Sequence, residues 1–212
     1  MNNTRGYFIV FEGCDGCGKT TQTERLRAVI AEATGRPCLY EREPNERNAA
    51  GAIIRSGLYG GVRFLTESMA YLHVADRLEH IEFMRPLIEA GKSIVCDRYY
   101  LSNMAYNTTP RISMADIYTM NKPCIESMKP DLFVFLDVPT EVTRARRDAN
   151  RADKEIYDGD EKQARVRRNY LEAIEFLRSQ GENVVVIDAS RGINEVSEDI
   201  KTQVFAALSI GK

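Results

Sequence analysis

Short apolar runs and longer stretches of helical spacing alternate along the whole chain. Tyr7-Phe8-Ile9-Val10-Phe11 is a compact β-branched and aromatic run, and similar runs recur near 37–40, 93–96, 132–137 and 184–187. Val134-Phe135-Leu136 and Val184-Val185-Val186-Ile187 are continuously apolar, the pattern of strands covered on both faces. Between them, Thr21 to Ala33 carries Leu26, Val29 and Ile30 one helical turn apart. Thr66 to Glu89 is a long helical segment with Leu72, Leu78 and Ile81 among its apolar residues. Pro86 within it predicts a kink or break, and Gly91 predicts its stop. Strand and helix in alternation predict an α/β fold: a five-stranded parallel sheet with helices on both faces.

Bulk properties narrow the function classes. With 212 residues, 43% hydrophobic and 28% charged, the chain has the composition of one ordinary globular domain spanning 1–212. A net charge of −2 gives no broad basic field, so neither nucleic acid nor an anionic membrane is an expected partner. No apolar stretch approaches the roughly 18 residues of a membrane span, and Met1 to Arg5 does not read as a signal peptide, so a cytoplasmic location is expected. Five scattered cysteines are not a disulfide framework. Cys14 and Cys17 form a C-x-x-C that invites a redox reading, but no second pair completes a zinc site.

The strongest chemical signal follows the first strand. Gly13-Cys14-Asp15-Gly16-Cys17-Gly18-Lys19-Thr20 fills every position of G-x-x-x-x-G-K-[ST], the phosphate-binding P-loop, between a predicted strand and a predicted helix. Glycines let backbone N–H groups converge on phosphate oxygens, and the helix N-terminus adds positive potential. Lys19 is then expected on the β- and γ-phosphates of a nucleoside triphosphate, with the Thr20 hydroxyl on Mg²⁺. Asp15, Glu43 and the pair Asp97-Arg98 follow three predicted strands, at the rim where ligands of parallel sheets gather. From Arg144 to Arg168, arginines interleave with acids in two expected helices, either a solvated salt-bridged pair or a mobile lid over a polyphosphate.

Taken together these motifs resemble the thymidylate kinase family of P-loop kinases, over nearly the whole chain. Phe11 to Gln22 is similar to the family's opening, including the acid within the loop. Arg42-Glu43-Pro44, Ala75-Asp76-Arg77, Asp97-Arg98-Tyr99 with Ser102 and Ala105-Tyr106, Lys129 to Leu132, Leu136 to Pro139 and Ile187 to Ser190 follow in the family's order. The resemblance implies the P-loop kinase fold, transfer of the γ-phosphate of ATP to dTMP, Mg²⁺ as cofactor, a mobile helical lid at roughly 144–168 and a homodimer.

It also implies roles. Gly13 to Thr21 would bind ATP, and Arg146 would stack on adenine. Asp15 would approach the sugar 3′-OH, Glu43 would lie near acceptor and metal, and Asp97 would hold magnesium waters. Arg55 and Arg98 would clamp the acceptor phosphate, whose geometry suits a guanidinium fork. Arg77, Asn103 and Asn107 would face the base, with Tyr106 against the sugar where a 2′-OH would sit. Gly16 stands where some members carry Arg, so the lid would supply that cation. Arg151 and Lys154 are both candidates, and the sequence does not choose between them.

Three departures bear on base selectivity. His73 stands where the family usually has Phe or Tyr, Asn107 replaces Gln, and Asn45-Glu46 follows Pro44 where many bacterial members have a Gly pair. A kinase for dUMP, dGMP or a modified nucleotide is the nearest alternative. A regulatory GTPase would need Asn-Lys-x-Asp, and Asn121-Lys122-Pro123-Cys124 lacks the carboxylate. A non-catalytic nucleotide-binding module would have no use for the acceptor-side arginines.

Overall fold

The structure, a computed structural model, describes residues 5–149 and 160–211. Five strands build one parallel sheet in the order β2-β3-β1-β4-β5: β1 Phe8–Glu12, β2 Cys38–Arg42, β3 Ser93–Asp97, β4 Leu132–Asp137 and β5 Val184–Asp188. Side chains alternate across it. Phe8, Val10, Ile94, Cys96, Phe133 and Phe135 enter the core on one face, and Ile9, Phe11, Val95, Val134 and Leu136 enter that on the other. The second face is covered by α1 (Lys19–Thr34) and α9 (Ile193–Leu208) through Leu26, Ile30, Val196, Ile200 and Val204. The first is covered by α3 (Thr66–Glu89), α4 (Tyr100–Asn107), α5 (Met114–Met120), α6 (Lys122–Ser127) and α8 (Asp160–Ser179). The short α2 (Ala49–Leu58) lies against α3, and α7 (Thr140–Ala149) against α8.

Two expectations needed adjustment. The second strand runs to Arg42, two residues beyond its apolar run, because β3 continues to pair with it as far as Asp97. Pro86 does not break α3, which continues to Glu89. Its position explains this: the ring falls in the last turn, and the Ala90 N–H donates to the Pro86 carbonyl at 3.0 Å, so the ladder resumes at once. Gly91, at φ 84, ends the helix as expected.

Because β1 lies between β3 and β4, the chain leaves it toward one side of the sheet and later returns on the other. That reversal opens a crevice beyond the carboxyl end of β1, where the P-loop sits. None of the described helices is long and apolar enough to cross a membrane.

Candidate active site

The loop after β1 is shaped by its glycines. Gly13 has φ 146, and a Cβ there would lie 2.7 Å from Cys17 Sγ and 2.8 Å from the Leu136 carbonyl. Gly18 caps α1 in the left-handed region at φ 99. Gly16 and Asp15 lie exposed on the rim of the loop, while Thr20 and Thr21 are exposed in the first turn of α1. Lys19 is buried, its Nζ donating to the Gly13 carbonyl at 2.9 Å and lying 4.0 Å from Asp97 Oδ1. Cys14 and Cys17 are buried free thiols, and burial pushes Cys14 up to about 11, so it supplies little thiolate near neutrality.

Of the acceptor-side candidates, Arg98 reaches this loop directly. Arg98 directly follows β3 with φ 71, an uncommon conformation for a side chain of its size. Its Nη2 donates to Asp15 Oδ1 at 2.6 Å, and its guanidinium carbon lies 5.1 Å from the centre of the Tyr106 ring. Asp15 itself is 57% exposed, so this pair faces the crevice. Arg55, on α2, pairs with Glu46 at 3.0 Å, and its Nη2 is buried with no hydrogen-bond partner among the described residues. Asn103 donates to the Ala70 carbonyl at 3.1 Å, and Asn107 donates to Asn103 Oδ1 at 2.8 Å, which ties both asparagines of α4 to α3. His73 is half-buried on α3, where burial and the charge of Arg77 hold its pKa down to about 4. It is therefore a neutral imidazole near pH 7.

Arg77 and Glu43 lie deeper than a base-reading arginine and a substrate carboxylate were expected to lie. They are 1% and 3% exposed and pair at 2.5 Å, while Arg77 Nη1 donates to Asn121 and the guanidinium covers the Tyr99 ring at 4.7 Å. The pair extends into a network that the sequence did not reveal. His80 lies between Glu43 at 3.4 Å and Glu41 at 3.1 Å, and Arg47 closes on Glu41 at 2.6 Å. Burial opposes a charge on His80, but the two carboxylates outweigh it and push it up to about 9. Asp76 accepts the Asn45 N–H and an Asn48 amide, anchoring the loop after β2 to α3.

Glu12 is a second group missed by sequence reasoning. It is fully buried at the end of β1, where burial pushes its carboxyl up to about 7. The signal was present, an acid closing an apolar strand just before the glycine loop, but its partners lie far along the chain. On the opposite side of the crevice, Arg146 on α7 donates to the carbonyls of Ala189 at 2.9 Å and Ser190 at 3.2 Å. Those residues follow β5, so α7, which carries the arginine expected on adenine, is joined to that loop. Arg167 forks onto the Asp137 carboxylate at 2.7 and 2.8 Å, holding α8 to the end of β4. Arg151 and Lys154 lie outside the described residues.

The donor set here fits magnesium. Asp97 Oδ1 is buried with no hydrogen bond among the described residues, and the exposed Thr20 stands at the start of α1 across the same loop. Both are hard oxygen donors of the kind this ion takes.

The family model for thymidylate kinase matches residues 11–200, from the end of β1 into α9. The chain belongs to the thymidylate kinase family. Curated members of the family are similar over nearly their full length. A protein named "Probable thymidylate kinase" from Pyrococcus abyssi is 34% identical over 205 residues, covering 92% of this chain and 94% of its own. Thymidylate kinases from Limosilactobacillus fermentum and Bifidobacterium longum are also 34% identical, covering 95% and 94% of this chain and 95% and 97% of their own.

Proposed function

We propose that this member of the thymidylate kinase family transfers the γ-phosphate of ATP to dTMP, giving dTDP and ADP. The observation that carries the reading is the 2.6 Å contact between Asp15, in the donor-binding loop, and Arg98, at the end of β3. It unites the phosphate-gripping amides and an acceptor-side guanidinium in one crevice.

The chemistry asks for charge compensation rather than a general base. A phosphate monoester has its second pKa at about 6, so the acceptor is already mostly dianionic at neutral pH. The obstacle is repulsion between two anions meeting in line. Lys19 and the loop amides would hold the donor phosphates, with Thr20 and Asp97 holding Mg²⁺. The metal, when bound, neutralises charge on the β- and γ-phosphates. Arg98 and Arg55 would hold the acceptor phosphate, and Asp15 its 3′-OH. Tyr106 would exclude a 2′-OH, while His73, Asn103, Asn107 and Arg77 would define the base side. Arg146 would pack on adenine, and Glu43 would lie near the acceptor and metal. A lid over roughly 144–168, carrying Arg151 or Lys154, would deliver the last cation. We also propose a homodimer working in the cytoplasm, on family resemblance.

The nearest alternative, another deoxynucleoside monophosphate, is favoured by His73, the shortened Asn107 and the Asn45-Glu46 that follows Pro44. A panel of dTMP, dUMP, dGMP and dCMP with ATP and Mg²⁺, read by coupled ADP release, decides it. Turnover confined to dTMP supports the reading; preference for another monophosphate overturns the substrate, and no turnover with any overturns the reaction.

A further inference from the structure

We infer that Glu12 is a positioning residue that aims the Arg98 guanidinium through two intervening hydroxyls, those of Ser102 and Tyr170. The inference rests on the reading of Arg98 as the arginine of the acceptor phosphate. Glu12 Oε1 accepts the backbone N–H of Tyr99 at 2.8 Å and of Ser102 at 3.1 Å. These are the cap and third residues of α4, a helix with no side-chain cap of its own. Glu12 therefore caps α4 from another element, as an acid within a capping box would. Its Oε2 accepts the Ser102 hydroxyl and, at 3.3 Å, that of Tyr170. The two hydroxyls are 2.8 Å apart, and Arg98 Nη1 donates to each at 3.2 Å.

The polarity of this cluster is decided by its end groups. Guanidinium can only donate, and Glu12 can only accept in its ionised form, which Ser102, the Arg98 charge and the Tyr99 N–H favour against burial. The carboxylate draws the hydroxyl protons inward, which leaves oxygen lone pairs facing Arg98. With Nη1 held from behind, Nη2 is left toward Asp15 at 2.6 Å on the crevice side. Arg98 occupies the left-handed region at φ 71, a conformation that persists only where the surroundings over-determine it. Burial opposes the charge on Glu12 and raises its carboxyl to about 7, so a neutral amide there relieves desolvation. Yet Glu12→Gln also turns an acceptor into a donor beneath both hydroxyls. Stability and activity should therefore part company.

The test compares kcat and KM for dTMP and ATP in wild type, Glu12→Gln, the double variant Ser102→Ala/Tyr170→Phe, Arg98→Ala, and each of the first two variants combined with Arg98→Ala. The double hydroxyl variant leaves the backbone caps of Glu12 intact and decides the matter if Glu12→Gln does not fold. Expected is a loss of about tenfold or more in kcat/KM for dTMP, since a misplacement of ~1 Å can cost ~100-fold. The KM for ATP and the unfolding midpoint should stay near wild type, and the loss should vanish once Arg98 is Ala. A loss that persists undiminished in the Arg98→Ala background, or that raises the KM for ATP equally, means a merely structural role and overturns the inference. So does no loss while Arg98→Ala is crippled. If Arg98→Ala itself loses less than about tenfold, the reading of Arg98 fails and the inference falls with it.

Discussion

Raising the pH should weaken this fold through a single histidine. His80 is buried between Glu41 and Glu43, whose carboxylates hold its proton until about pH 9 against an ordinary 6.5. A histidine raised in this way stabilises the folded chain fully below 6.5, and that contribution is lost as pH rises through about 9. The rise corresponds to about 3 kcal/mol, roughly a fifth to three-fifths of the stability of a typical domain. Glu41 acts in the opposite sense: burial would raise it, but His80 and Arg47 hold it below 4.5, so its contribution is lost as pH falls. The assay is urea unfolding between pH 6 and 9 for wild type and His80→Gln. Glutamine keeps a hydrogen-bonding side chain of similar reach and removes the titration, so ionisations elsewhere cancel in the difference. The wild-type advantage should be largest near pH 6 and shrink steadily toward pH 9. An advantage constant over that window would mean that His80 titrates in the fold as it does unfolded, and one that grows with pH would mean that it is buried neutral; either result would make the network drawn here wrong.

Other outcomes follow from the site. Lys19→Ala and Arg98→Ala should each lose far more than tenfold in kcat with little change in unfolding midpoint; a smaller loss in steady-state assays contradicts their assignment. Between Arg151→Ala and Lys154→Ala, the catalytic lid residue should lower kcat more than it raises KM, whereas equal small effects would reduce the lid to a cover. His73→Phe should lower the KM for dTMP severalfold with kcat unchanged, because a phenyl ring offers more apolar area than the neutral imidazole; an unchanged KM would remove position 73 from the base pocket. Gly13→Ala should abolish ATP binding and cost more than about 1 kcal/mol of stability, since its Cβ meets the Leu136 carbonyl at 2.8 Å and φ is 146; ATP binding near wild-type affinity in calorimetry would argue against that loop geometry.

What the residues determined alone was whatever depends on neighbours in the chain. Apolar runs marked all five strands, most completely β1, β3 and β4, where burial on both faces leaves little room for polar residues, whereas β2 and β5 are partly exposed. The P-loop was legible because its work is done by adjacent backbone amides and glycines whose spacing is itself the mechanism. The tertiary structure decided what depends on distant partners. Glu12 meets Tyr99 and Tyr170, 87 and 158 residues further on, and its place between an apolar strand and the glycine loop does not name those partners. Arg77 and Glu43 lay in recognised motifs, yet their depth, and the insertion of His80 between two carboxylates, came only from packing α3 against the end of β2. Charge in a low-dielectric interior is governed by what surrounds it in space, and the order of residues along the chain does not state that.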